Sequence, residues 1–149
     1  VSAATIAEIL AAGREMLRHP VETLPDVRET LEALAGDYEI VLITKGDLVH
    51  QTHKITTSGL AHHFEHLEVV LEKDAETYAK LLHRFGVRPE RFLMVGNSVR
   101  SDILPVMSLG GHAVHVPYHL LWDPEHVDHD ELFTELSSLA DLPALLGLG

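Results

Sequence analysis

Three short stretches of this chain combine side chains that could hold an anion or a hard cation. Thr44-Lys45-Gly46-Asp47 puts a hydroxyl and an ammonium ahead of a glycine turn. Where such a turn opens a helix, the hydroxyl donates one hydrogen bond to an anion and the free N–H groups of the helix start donate others. Glu72-Lys73-Asp74 sets an ammonium between two acids, where it could neutralise a bound anion. Gly96-Asn97-Ser98-Val99-Arg100-Ser101-Asp102 offers a sharp turn at Gly96 and oxygen ligands at Asn97 and Asp102. A cation such as Mg²⁺ takes oxygen ligands, and few of them, because it keeps several waters. Each stretch also has a plainer role. Thr44 can simply end a strand while Asp47 caps a helix, Lys73 can be an exposed charge among acids, and Asn97 or Ser98 can be a cap.

What gives the three stretches weight is the elements around them. Tyr38–Ile43 (YEIVLI), Leu67–Leu71 (LEVVL), Phe92–Val95 (FLMV) and Ala113–Val116 (AVHV) are short apolar runs rich in branched residues, as expected of buried strands. Between them, Asp47–Ser58, Asp74–Phe85 and Val99–Leu109 carry apolar residues at helical spacing, and each runs into glycine. A further helix is expected from Pro25-Asp26 to Gly36-Asp37, with Val27, Leu31 and Leu34 on one face. Residues 2–18 read as a helix ended by His19-Pro20, and short helical stretches are expected around Asp130–Leu139 and Leu142–Leu146. Strands alternating with helices at this spacing predict right-handed βαβ units and a parallel sheet. Such sheets carry their chemistry at the carboxyl ends of the strands, which is where the three stretches fall.

Composition narrows the function classes. The 149 residues suit one domain with a single core. The absence of cysteine excludes a disulfide framework, a thiolate metal site and a cysteine nucleophile. Eleven basic residues against 23 acidic ones, a net charge of −12 with histidine neutral, argue against nucleic acid as a partner. No apolar run is long enough to span a bilayer, so no membrane partner is expected and a soluble, cytoplasmic domain is. Twelve histidines are scattered along the chain. His112 and His115 lie three apart in a segment, Gly111–Pro117, that reads as a strand, so they face opposite ways and make a poor metal pair. Solvated surface is the expected place for the histidines. His50, Gln51 and Lys54 are likewise expected on a solvated helix face, and Trp122 in a loop after the fourth strand.

Taken in order, hydroxyl, lysine and Gly-Asn-Ser with a downstream Asp on successive strand ends, the chain resembles the haloacid dehalogenase (HAD) superfamily, mostly phosphatases with a helical cap. The resemblance covers essentially the whole chain. Thr44 in LITKGD looks like the superfamily's second motif, Lys73 in LEKDAETY its third, and Gly96–Asp102 in VGNSVRSDI its fourth. It implies a three-layer α/β fold, a Rossmann-like parallel sheet forming the HAD-like core, with the remnant of an α-helical cap. Residues 1–20 would be the last cap helix and its linker, and residues 21–149 the core. By the same resemblance Thr44, with Lys45 and Gly46, would bind the phosphoryl group, and Lys73 would stabilise its charge together with the nucleophile. Asn97 and Asp102 would serve a Mg²⁺ site, and the substrate would be a small phosphorylated metabolite.

Two departures from the family pattern shape the expectations. The first motif, a strand ending in Asp-x-Asp ahead of the cap, has no counterpart before residue 20. The nucleophile and the central strand carrying it, between Tyr38–Ile43 and Phe92–Val95 in the superfamily's order, are therefore expected from outside. Upstream sequence, a second chain or a swapped dimer are the three sources. A sheet lacking that strand would expose two buried edges, so a fragment is expected. The second departure is Asn97, neutral where the commoner pattern has an acid. It keeps open a metal-independent 2-haloacid dehalogenase-like hydrolase, and the missing motif keeps open a non-catalytic binding domain.

Overall fold

A computed structural model describes residues 26–117 and 133–148. The helix expected over residues 2–18, the boundary near residue 20 and Trp122 lie outside the described residues. The chain divides into two compact units, residues 1–69 and 70–149, with the boundary inside the second strand.

In the first unit, helix α1 (Val27–Leu34) buries Leu31 and Leu34 as its spacing predicts, with Thr30 beside them, while Val27 is half-buried. Strand β1 (Val41–Lys45) begins three residues later than its apolar run. The cause is local: the N–H groups of Asp37 and Tyr38 both donate to the Leu34 carbonyl, so the helix's last turn keeps Tyr38 out of the sheet. Asp47 caps α2 (Leu48–Ser58), accepting the His50 N–H at 3.0 Å, and a single 3₁₀ turn, Ala61–His63, follows. Strand β2 (His66–Val70) lies beside β1 in a two-stranded sheet.

The second unit holds most of the core. Helix α3 (Ala75–Phe85) starts where the Asp74 carboxylate accepts the Thr77 N–H, and it buries Tyr78, Leu81 and Leu82 at i, i+3 and i+4. Strand β3 (Leu93–Gly96) pairs in parallel with β4 (His112–His115), from Leu93 opposite His112 to Gly96 opposite His115. These elements pack over Met94, Val99, Ile103, Val106, Val114 and Leu142, the last in a short helix α5 (Leu142–Leu145). The alternation of strand and helix with parallel pairing is the α/β arrangement that the spacing predicts.

Two elements differ from expectation. The helix predicted over Val99–Leu109 opens as a π-turn, Val99–Ile103, and becomes the α-helix α4 only over Leu104–Ser108. Pro105 has no N–H with which to serve the Ser101 carbonyl four residues back, so an α-helical start is denied its bond there. Within the stretch predicted helical around Asp130–Leu139, Thr134–Glu135 instead forms strand β5, parallel to β4, with Leu136 N–H on the His115 carbonyl at 2.8 Å. The open edge of β4 offered those residues a ladder, which outweighed a weak helical preference.

Candidate active site

The turn after β1 is built around a side chain from the next helix. Gly46 holds φ at +142°, a conformation that favours glycine, and a Cβ there would approach the Gln51 amide nitrogen to 3.0 Å. The Thr44 hydroxyl donates to Gln51 Oε1 at 3.3 Å. That is long for an O–H···O bond, so a better acceptor such as a phosphoryl oxygen can replace it at little cost. Gln51 is half-buried on this turn, contrary to the expected solvated face, whereas His50 and Lys54 are exposed. Lys45 is exposed at the strand's end. Thr44, Lys45 and Gly46 thus gather where the N-terminus of α2 begins.

In the second unit the structure brings Lys73 and Asp102 together. Lys73 Nζ lies 2.8 Å from Asp102 Oδ1, with the lysine side chain 17% exposed and the carboxylate 2%. The other carboxylate oxygen, Oδ2, accepts the Ser98 N–H at 3.1 Å, and the Asp102 N–H returns to the Ser98 carbonyl at 2.8 Å. Ser98 Oγ accepts the Ser101 N–H at 3.2 Å and closes the loop on itself. Gly96 is needed beneath it, because a Cβ at that position would run into the Asp102 carboxylate. Asn97 stands exposed at the turn. One N–H of the Lys73 ammonium is spent on Asp102 and the others can reach an anion.

Tyr78 and His115 also belong to this site, and neither was singled out for it by the sequence. The Tyr78 hydroxyl donates to the Ser101 carbonyl at 2.8 Å, the group whose α-helical donor Pro105 removes. Burial, then the charge and hydrogen bonding of Asp102, push the phenol's pKa well above its usual value, so it stays a donor. The pairing of a proline four residues after Ser101 with a tyrosine on the preceding helix is the signal that could have flagged it. His115, expected on solvated surface, is 6% exposed, and its Nε2 lies 3.1 Å from the Asn97 carbonyl. His112 Nε2 instead meets the Glu90 carbonyl at 3.1 Å.

As a metal site the donor set is oxygen only: the buried Asp102 carboxylate and the exposed Asn97 amide. Among the described residues no group of three or more His, Cys, Asp or Glu gathers. Mg²⁺ does not need such a cage, since it binds through one or two carboxylates and keeps waters. The residues present therefore fit part of a Mg²⁺ site.

A family model of haloacid dehalogenase-like hydrolases matches residues 3–106, a span that includes every motif named above. The chain belongs to this family. Its α/β fold is that of solved HAD-like hydrolases. One of them, a haloacid dehalogenase-like family hydrolase from Xanthomonas campestris, superimposes with a TM-score of 0.84 at 45% identity, covering 99% of this chain and 64% of that one. A glyceraldehyde 3-phosphate phosphatase from Methanothermobacter thermautotrophicus is 30% identical over 130 residues, 82% of this chain and 58% of that protein. A phosphoserine phosphatase from Thermus thermophilus is 34% identical over 109 residues, 69% of this chain and 43% of that protein. The chain spans about half the length of these curated HAD relatives.

Proposed function

We propose that this chain supplies the phosphate-binding and charge-stabilising part of a Mg²⁺-dependent HAD phosphatase acting on a small phosphorylated metabolite. The observation that carries this reading is the Lys73–Asp102 pair, an ammonium held at 2.8 Å on a buried carboxylate beside the loop that bears Asn97. Support also comes from the phosphatase-named relatives. In this reading the Thr44 hydroxyl exchanges Gln51 for a phosphoryl oxygen, while Lys45 and the turn at Gly46 hold the same group. Lys73 offsets the charge that builds on the phosphoryl oxygens as the bond to the leaving group breaks. Asp102 fixes the ammonium in place and, with Asn97, would hold Mg²⁺. The ion, when bound, polarises and orients the phosphoryl group.

In this reading the nucleophile is an aspartate on a strand that these 149 residues do not supply. Its oxygen would attack phosphorus as the bond to the substrate's ester oxygen breaks and that oxygen takes a proton from the second aspartate of the Asp-x-Asp motif. Water, giving a proton back to that aspartate, would then cleave the aspartyl-phosphate to carboxylate and inorganic phosphate. The exposed Asn97 favours one other reading, carbon–halogen hydrolysis without metal, because a neutral amide binds Mg²⁺ more weakly than a carboxylate. A cytoplasmic setting goes with a phosphorylated metabolite as substrate. Among the described residues no helix is long and apolar enough to cross a membrane.

The test is phosphatase activity of the complete protein against a panel of phosphomonoesters. Lys73→Ala is expected to lower kcat by about 100-fold or more, the usual loss when a preorganised charge donor is removed. Full activity in that variant removes the reading. Turnover of 2-chloro acids that survives EDTA would select the dehalogenase reading instead.

A further inference from the structure

The loop from Asn97 to Asp102 turns two main-chain carbonyls inward, one near each end, and each meets a buried side chain from a different element. At one end the Asn97 carbonyl lies 3.1 Å from His115 Nε2. A carbonyl only accepts, so Nε2 carries the hydrogen and donates it. The far side of the imidazole is also fixed. Phe133 meets the ring edge-on with centroids 5.7 Å apart, while Nδ1 is buried without a hydrogen-bond partner among the described residues, 3.5 Å from Glu135 Oε2. The β4–β5 register sets this up by placing Glu135 opposite His115. At the other end the Ser101 carbonyl accepts from the Tyr78 hydroxyl at 2.8 Å, and Tyr78 is 1% exposed. Neither donor is near in sequence. Tyr78 comes from α3, which begins just after Lys73, and His115 from the end of β4.

We propose that Tyr78 and His115 are positioning residues that clamp the Asn97–Asp102 loop at its two ends, so that the Asn97 side chain and the Asp102 carboxylate are held ready for a cation. The consequence for catalysis rests on the phosphatase reading; the clamp itself does not. Without those donors the two peptide planes would be held from one side only, by the Ser98 N–H on Asp102 Oδ2 and the Asp102 N–H on the Ser98 carbonyl, and would rotate more freely, carrying the Asn97 amide with them. Two buried donors remove that freedom, and they do so without touching the cation or the substrate. Groups that orient metal ligands from behind commonly change metal affinity by about 10-fold to 100-fold when removed.

Tyr78→Phe deletes one oxygen, His115→Phe removes the imidazole donor, and His115→Gln keeps an amide nitrogen near the place of Nε2. Amide hydrogen exchange of Ser98 and Asp102 is measured in the complete protein, with Leu81 and Leu82 as internal references for the fold. Mg²⁺ affinity is measured by calorimetry without substrate. Exchange of the two loop amides is expected to speed up by about tenfold or more in Tyr78→Phe and His115→Phe, with the reference amides unchanged, and Mg²⁺ affinity is expected to fall by about tenfold. His115→Gln is expected to restore both. Loop exchange unaltered in both deletion variants overturns the clamp, and so does faster loop exchange with unaltered Mg²⁺ affinity. If the wild-type protein binds no Mg²⁺, the phosphatase reading fails, and loop exchange with rescue by glutamine then decides the clamp alone.

Discussion

Gly96 and Asp102 show how closely the geometry of this loop is tied to single atoms. The carboxylate fills the space in which any other residue at position 96 would carry its Cβ. Gly96→Ala therefore cannot keep the Lys73–Asp102 distance of 2.8 Å. The expected result is a loss of activity comparable to Asp102→Ala, together with about 1–3 kcal/mol of stability lost to overpacking, read from denaturant unfolding. An alanine variant with unchanged activity would mean that the carboxylate has room to move and that its placement is not set by the glycine. Thr44 offers the opposite case. Its 3.3 Å bond to Gln51 is long for an O–H···O bond, so on the phosphatase reading Gln51 marks a resting position of the hydroxyl.

Among the elements, the π-turn and the helix α3 yield the sharpest expectations. Pro105 withholds a donor from the Ser101 carbonyl and Tyr78 supplies one, so the two residues are energetically coupled. Tyr78→Phe is expected to cost about 1 kcal/mol in the wild-type background, the usual worth of a hydrogen bond. It should cost clearly less with Pro105→Ala, where the new N–H can take over the carbonyl; a double-mutant cycle in chemical denaturation measures the difference. At the start of α3, the Thr77 N–H bound to the Asp74 carboxylate holds the acid's pKa below its ordinary value of 3.8. A depressed folded-state pKa means that the cap's contribution is present above the unfolded value and is lost as pH falls through the folded one. Protection of the Thr77 amide, measured against its intrinsic exchange rate at each pH, should fall as Asp74 is protonated in the wild type, and this pH dependence should vanish in Asp74→Asn.

At the level of the whole molecule the two sheets carry edges that another strand can meet. The described strands form one sheet of order β1-β2 and another of order β3-β4-β5, so β3 has a strand neighbour on one side only among the described residues. An apolar strand edge left unpaired in water is a template for another strand. If the nucleophile arrives on such a strand, material with phosphatase activity should have a native mass above the 16.5 kDa of this chain. Native mass spectrometry of the active fraction checks this, and a fully active species of 16.5 kDa would remove the idea of a strand supplied from outside.

The sequence by itself determined the parts whose causes are local. Apolar runs ending in Thr44, Lys73 and Gly96 marked strands to within a few residues, because a buried parallel strand needs only a few consecutive branched residues and a turn. Asp47 and Asp74 marked helix starts for the same kind of reason. That Thr44, Lys73 and Asn97 fall at or just past strand ends was legible too, since each lies within a few positions of its strand's end. What only the tertiary structure decided are the partners brought from far along the chain. Tyr78 meets a carbonyl 23 positions away, and His115 one 18 positions away. No periodicity records such pairings, because a main-chain carbonyl is identical at every residue and its need for a donor appears only once the backbone has turned. Strand β5 has the same origin: Thr134 and Glu135, one favouring strands and one not, became a strand because β4 left an edge for them.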